Sequence, residues 1–131
     1  MSREYVETTK ELLHRWSAGD WEWIRGLAAP DLEYDMSRAV GPINGVHGLD
    51  GARRTWTEFA SHWDAMALDA ETMIESGDDV VVSLTIRGRG RDGIEVRTRT
   101  GWVISYRDGK LMRMEMFQNF EEALAAAAEE G

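Results

Sequence analysis

At Asp64 the hydrophobic pattern of the chain changes period, and this switch constrains the fold more than any other feature. Before it, Tyr5, Leu12, Leu13 and Trp16, with Thr9 between them, recur at helical spacing over residues 4–17. Ala52, Trp56, Phe59 and Trp63 do the same over residues 48–63. After it, Met66, Leu68, Ala70, Thr72 and Ile74 alternate with Ala67, Asp69, Glu71 and Met73, which is the two-residue period of a strand. A helical half followed by a strand half predicts an α+β domain with helices covering one face of an antiparallel sheet.

The punctuation agrees with this division. Ser2 is placed to cap the first helix and Gly19 to stop it; Asp20 then caps a short second helix over residues 21–28, closed by Pro30. Residues 31–36 read as a strand, and residues 37–47, with Gly41-Pro42 and Asn44-Gly45, as a loop that leaves His47 in a turn. Gly77-Asp78-Asp79, Asp92-Gly93 and Asp108-Gly109 separate the alternating segments 80–91, 94–106 and 110–119, so the second half is a four-stranded meander. Asn119 and Glu122 make a capping-box pair for a final helix through residue 128. Residues 1–131 contain no repeat or linker and read as one domain.

The alternation assigns faces. Leu68, Ile74, Val80, Val82, Leu84, Ile86, Trp102, Ile104, Met112, Met114, Met116 and Gln118 share the parity that must meet the helices. Asp69, Glu71, Arg87, Arg89, Arg91, Glu95, Arg97, Arg99, Arg113 and Glu115 share the other, a charged face of both signs. The arginines are therefore read as a solvated or subunit-contacting face, since a nucleic-acid surface would interleave aromatics with them. The net charge of −9 also opposes phosphate backbones and anionic lipid. With no cysteine, no membrane-length apolar run and no signal-peptide core, the chain is expected to be soluble and cytoplasmic.

Familiar motifs fall away on inspection. Gly88, Gly90 and Gly93 match a dinucleotide fingerprint by letter, but a strand follows where the fingerprint needs a helix. His14, His47 and His62 stand in separate elements, so neither a metal nor a cofactor is expected. Ser37, Ser61, Ser83 and Ser105 lack the context of a nucleophilic elbow. Asp35 stands out instead, ending an early strand before a Gly/Pro loop. Walled in by tryptophan, it would have the raised pKa of a general base; as a surface turn residue it would only stabilise Ser37 or Arg38. Periodicity leaves open whether Tyr34 or Asp35 turns inward.

Gly19-Asp20 through Ala29-Pro-Asp-Leu-Glu-Tyr-Asp35, Gly45-Val-His-Gly-Leu-Asp-Gly51, Gly77-Asp-Asp-Val-Val-Val82, Tyr106-Arg-Asp-Gly-Lys-Leu111 and Phe120-Glu-Glu-Ala-Leu124 follow in an order and spacing that resembles the SnoaL-like branch of the NTF2-like superfamily. The resemblance spans nearly the whole chain. It implies a cone: a curved antiparallel sheet wrapped around a long N-terminal helix, further helices on the concave face, an interior cavity, and homodimers through the outer sheet face. Against ketosteroid isomerase, a relative, Asp35 falls on the general base, while Leu12 and Trp102 replace the two oxyanion donors. Trp56 and Met114 fall on pocket-lining positions.

The expected ligand site is Leu12, Trp16, Tyr34, Trp56, Phe59, Trp63, Trp102, Met114, Met116 and Gln118, receiving a small, largely apolar, polyketide- or steroid-like molecule. Asp35 is the candidate acid/base for a cyclisation or isomerisation. The alternative is a non-catalytic dimeric module. Six tryptophans in so short a chain pose the question sharply: Trp16, Trp56, Trp63 and Trp102 either line the cavity or fill it.

Overall fold

The elements follow as α1 (Ser2–Ala18), α2 (Trp21–Leu27), β1 (Ala28–Asp35), β2 (Val46–His47), α3 (Leu49–Ala60), β3 (Ala65–Ser76), β4 (Asp79–Arg89), β5 (Glu95–Arg107), β6 (Lys110–Phe117) and α4 (Phe120–Glu130). The computed structural model describes residues 2–36 and 46–130. Most of the loop expected at 37–47 lies outside the described residues.

Helix α1 turns its apolar stripe inward, with Leu12, Leu13 and Trp16 buried together with Thr9. Asp20 caps α2, its carboxylate accepting from the Trp23 backbone N–H at 3.3 Å. Arg15 donates to the same carboxylate at 2.7 Å and holds its pKa below the usual range. Strands β3 to β6 form the expected meander, each antiparallel to the next. Asp108 and Gly109, both at positive φ (53° and 78°), make the last hairpin turn in the sense that matches strand twist.

Four departures from the sequence reading matter. First, the sheet is mixed: β1 lies parallel to β6, and β2 adds antiparallel to β1, giving the order β2-β1-β6-β5-β4-β3. His47 is thus a strand residue opposite Tyr34. Second, α4 packs on the face away from α1. There Val81, Val103 and Phe117 form a separate core with Ala123 and Ala127 of the helix, so the outer face is only partly charged. Third, the register of β3 slips between Ala70 and Thr72. The extra residue, Glu71, reverses the alternation beyond it, so Met73 packs inward opposite Val82 while Ile74 is 40% exposed. Fourth, α3 ends at Ala60. Trp63 leaves the helix face and lies on Gly88, where an added Cβ would stand 2.8 Å from the indole ring.

Of the charges on the outer face, Arg87 of β4 pairs with Asp69 on the neighbouring β3, whereas Arg99 of β5 reaches across β4 to Glu71 and Arg97 pairs with Glu95 of its own strand. They are largely exposed and contribute little to stability. The dinucleotide-like glycines are confirmed as a hairpin, in which Gly90 N–H donates to the Ile94 carbonyl at 2.9 Å.

One buried polar contact ties α1 to β5. Thr9 Oγ1 donates to the Tyr5 carbonyl at 2.7 Å, so the Tyr106 hydroxyl, 2.8 Å away, donates to Thr9. Tyr5 stacks on Tyr106 with ring centroids 4.5 Å apart. Tyr106→Phe should keep the stack and lose the hydrogen bond, costing about 0.5–1.5 kcal/mol in urea unfolding with an unchanged m-value. A loss above about 3 kcal/mol would show that the hydroxyl holds more than this one bond.

Candidate functional site

The interior between α1, α3 and the sheet is built around Trp16, which is fully buried. Its ring centroid lies 4.7 Å from Trp21, 5.3 Å from Tyr34 and 6.4 Å from both Trp56 and Trp102, all edge-on. Tyr34 and Trp102 are themselves 6.3 Å apart, and Phe59 extends the cluster from Trp56 at 6.0 Å. Edge-to-face rings at these distances place the positive edge of one on the negative face of the next. Leu12 and Met114 are buried in the same core, and Met116 packs against it half-buried. The sequence therefore brings eight of the expected residues together: Leu12, Trp16, Tyr34, Trp56, Phe59, Trp102, Met114 and Met116.

It does not bring the other three. Trp63 sits on Gly88, away from these ring contacts. Gln118 lies beyond the end of β6 and is exposed. Asp35 is on the opposite side of the sheet, because Leu32, Tyr34 and Met36 take the inward positions of β1 and its C-terminal extension. A general base inside the aromatic cluster would need the position that Tyr34 holds.

Asp35 is nevertheless 6% exposed. Arg113 of β6 donates to it at 2.6 Å, approaches Glu115 at 3.5 Å and Glu33 at 3.7 Å, and Glu115 is the register partner of Asp35 across the parallel pair. The guanidinium thus links β1 to β6 on the face away from Trp16. Parity alone puts Arg113 and Glu115 on one face; only the β1–β6 pairing, which crosses some 80 residues of sequence, adds Asp35.

The cluster's polar atoms are unevenly satisfied. Tyr34 donates its hydroxyl to the Met116 sulfur at 3.2 Å, and burial pushes the phenol pKa up, so it stays protonated. The indole N–H groups of Trp16 and Trp102 are buried and have no acceptor among the described residues. The site list drawn from sequence also missed Trp21, the ring nearest Trp16. The Gly19-Asp20 turn folds α2 back on α1, and that helix pair was the available signal. Among the described residues, surface clefts lie elsewhere, one of about 310 Å³ between α1 and β3, beside His14 and Ser17, and one of about 720 Å³ between Arg25, Pro30, Asp50 and Arg54.

This architecture is that of a known class. The model of the SnoaL-like domain matches residues 9–114, and the chain belongs to that family, with the NTF2-like fold. Wild-type IdmH from Streptomyces antibioticus, a proposed polyketide cyclase, is similar with TM-score 0.76 at 18% identity, over 95% of this chain and 97% of that one. TerC, co-crystallised with polyporic acid, gives 0.73 at 24% identity, over 95% and 97%. Bal32a from a soil-derived mobile gene cassette gives 0.76 at 14% identity, over 88% of each chain. No curated protein matches the sequence. Among the described residues, no helix is long and apolar enough to cross a membrane.

Proposed function

We propose that this SnoaL-like domain binds a small, planar, largely apolar molecule between α1, α3 and the sheet, in contact with Trp16, Tyr34 and Trp102. The observation that carries this reading is the pair of buried indole N–H groups left without acceptors. A core selected only for packing would bury phenyl rings there, since an unpaired buried donor costs about 1–3 kcal/mol. Met114 and Met116 add side chains that adapt to an occupant's shape. The relatives support the class of ligand, since one was crystallised with polyporic acid and another is a proposed polyketide cyclase. In this reading Asp35, with Arg113 and Glu115, holds β1 to β6, and no proton transfer in the cluster is assigned to it.

The test is a titration of intrinsic tryptophan fluorescence with polyporic acid and a panel of polyaromatic and steroid-like compounds. At least one should quench saturably, and Asp35→Asn should leave its affinity within a factor of about two, because the carboxylate is on the far side of the sheet. If no compound quenches, the binding reading fails. If Asp35→Asn abolishes binding while the fold survives by circular dichroism, the carboxylate belongs to the site after all.

A further inference from the structure

Strand β5 outruns one of its neighbours. Its pairing with β6 stops at Gly101 opposite Phe117, while its pairing with β4 continues to Glu95 opposite Arg89. Among the described residues no strand lies on the open side of residues 95–100, and residues 91–99 are all exposed. The Gly90 N–H donates to the Ile94 carbonyl, so even-numbered residues here turn their backbone groups to β4. Those of Glu95, Arg97 and Arg99 therefore point to the open side. No proline, lysine or register slip interrupts this overhang, and Val96 on it is 42% exposed. Such an edge is a template for one more strand.

The side chains along it suit a second copy of this chain. Two overhangs laid antiparallel with Val96 on the two-fold axis set Glu95 opposite the second copy's Arg97, and Arg97 opposite its Glu95. Glu95 and Arg97 already pair within the strand at 2.7 Å, so four alternating charges meet around the axis. Val96 then faces its own copy in the closer, non-hydrogen-bonded kind of pair, and Glu95 and Arg97 supply the flanking backbone bonds. Centring on Glu95, Arg97 or Thr98 instead opposes like charges. On a chain of net charge −9 most approaches of two copies are repulsive, which favours meeting at an edge where opposite charges face each other. We infer that the open edge of β5 is a self-association surface, through which two copies join their sheets about an axis at Val96. It is a different surface from the outer sheet face, and the inference is independent of the ligand reading.

Sedimentation equilibrium of the full chain should show a monomer–dimer equilibrium. Glu95→Arg and Arg97→Glu should each raise the dissociation constant roughly tenfold, since symmetry places each change in the interface twice. The double variant Glu95→Arg/Arg97→Glu should restore it. The chain has no cysteine, so oxidation can locate the axis. Val96→Cys should cross-link into a covalent dimer. Thr98→Cys should not, because four residues of strand, on the order of 13 Å, separate the two copies of that position. All four positions are exposed, and circular dichroism checks that each variant keeps the fold. A native chain that stays monomeric into the millimolar range overturns the inference. So does a dimer that both single charge reversals leave intact, or cross-linking through Thr98→Cys in place of Val96→Cys.

Discussion

Trp16→Ala should be among the most damaging single substitutions in the chain, costing about 3–5 kcal/mol of stability. The indole is fully buried and makes edge-on contact with four other rings, so its removal leaves a cavity that Trp21, Tyr34, Trp56 and Trp102 cannot all move to close. For a domain whose total stability is on the order of 5–15 kcal/mol, this approaches unfolding at ambient temperature. Trp16→Phe tells the two parts of the residue apart. It deletes ring volume but also deletes a buried donor with no acceptor, and the second change offsets part of the first. Urea denaturation should place Trp16→Phe within about 1.5 kcal/mol of the native protein. Equal losses for both substitutions would mean that the indole N–H is satisfied, contrary to its geometry here.

Gly101→Ala acts on the other face. A Cβ at this position would stand 2.5 Å from the Asn119 carbonyl oxygen and 2.7 Å from the Phe120 Cα, both backbone atoms that cannot rotate away. The start of α4 has to lift, which loosens Ala123 and Ala127 from Val81, Val103 and Phe117. The expected cost is about 2–3 kcal/mol. The damage should be local: amide hydrogen exchange should accelerate through α4, while the buried turns of α1 keep their protection. Uniform acceleration throughout the molecule would show instead that the two cores unfold as one unit.

The fold was largely legible because each of its devices is local. Helical spacing over α1 and α3, the Asp-Gly turns and the two-residue alternation of β3 to β6 each operate within a dozen residues. What stayed hidden was non-local or depended on a single inserted residue. The parallel docking of β1 on β6 leaves no mark in either strand, so Asp35 and Tyr34 could not be assigned faces. Once β1 pairs, Tyr34 falls opposite Met114 and Asp35 opposite Glu115, and the choice is made. The slip beside Glu71 altered the faces of Met73 and Ile74 without any break in their alternation. Val81, Val103 and Phe117 are apolar residues on the parity read as a charged face, and the cover that α4 gives them was missed. The tryptophan cluster was readable as a group, but not that two of its N–H groups would be buried without partners.

The irregularity at Glu71 has a consequence for how the protein keeps apart from its own copies. Strand β3 is the last in the sheet, paired on one side only, and a long straight outer strand is a template for runaway stacking between molecules. Here the register slip interrupts the straight run, the ion-paired Asp69 and Glu71 together with Glu75 set charged groups along it, and the Ser17 hydroxyl occupies the Leu68 N–H at 3.0 Å. An outer strand so irregular, charged and partly capped gives a second molecule little to align with.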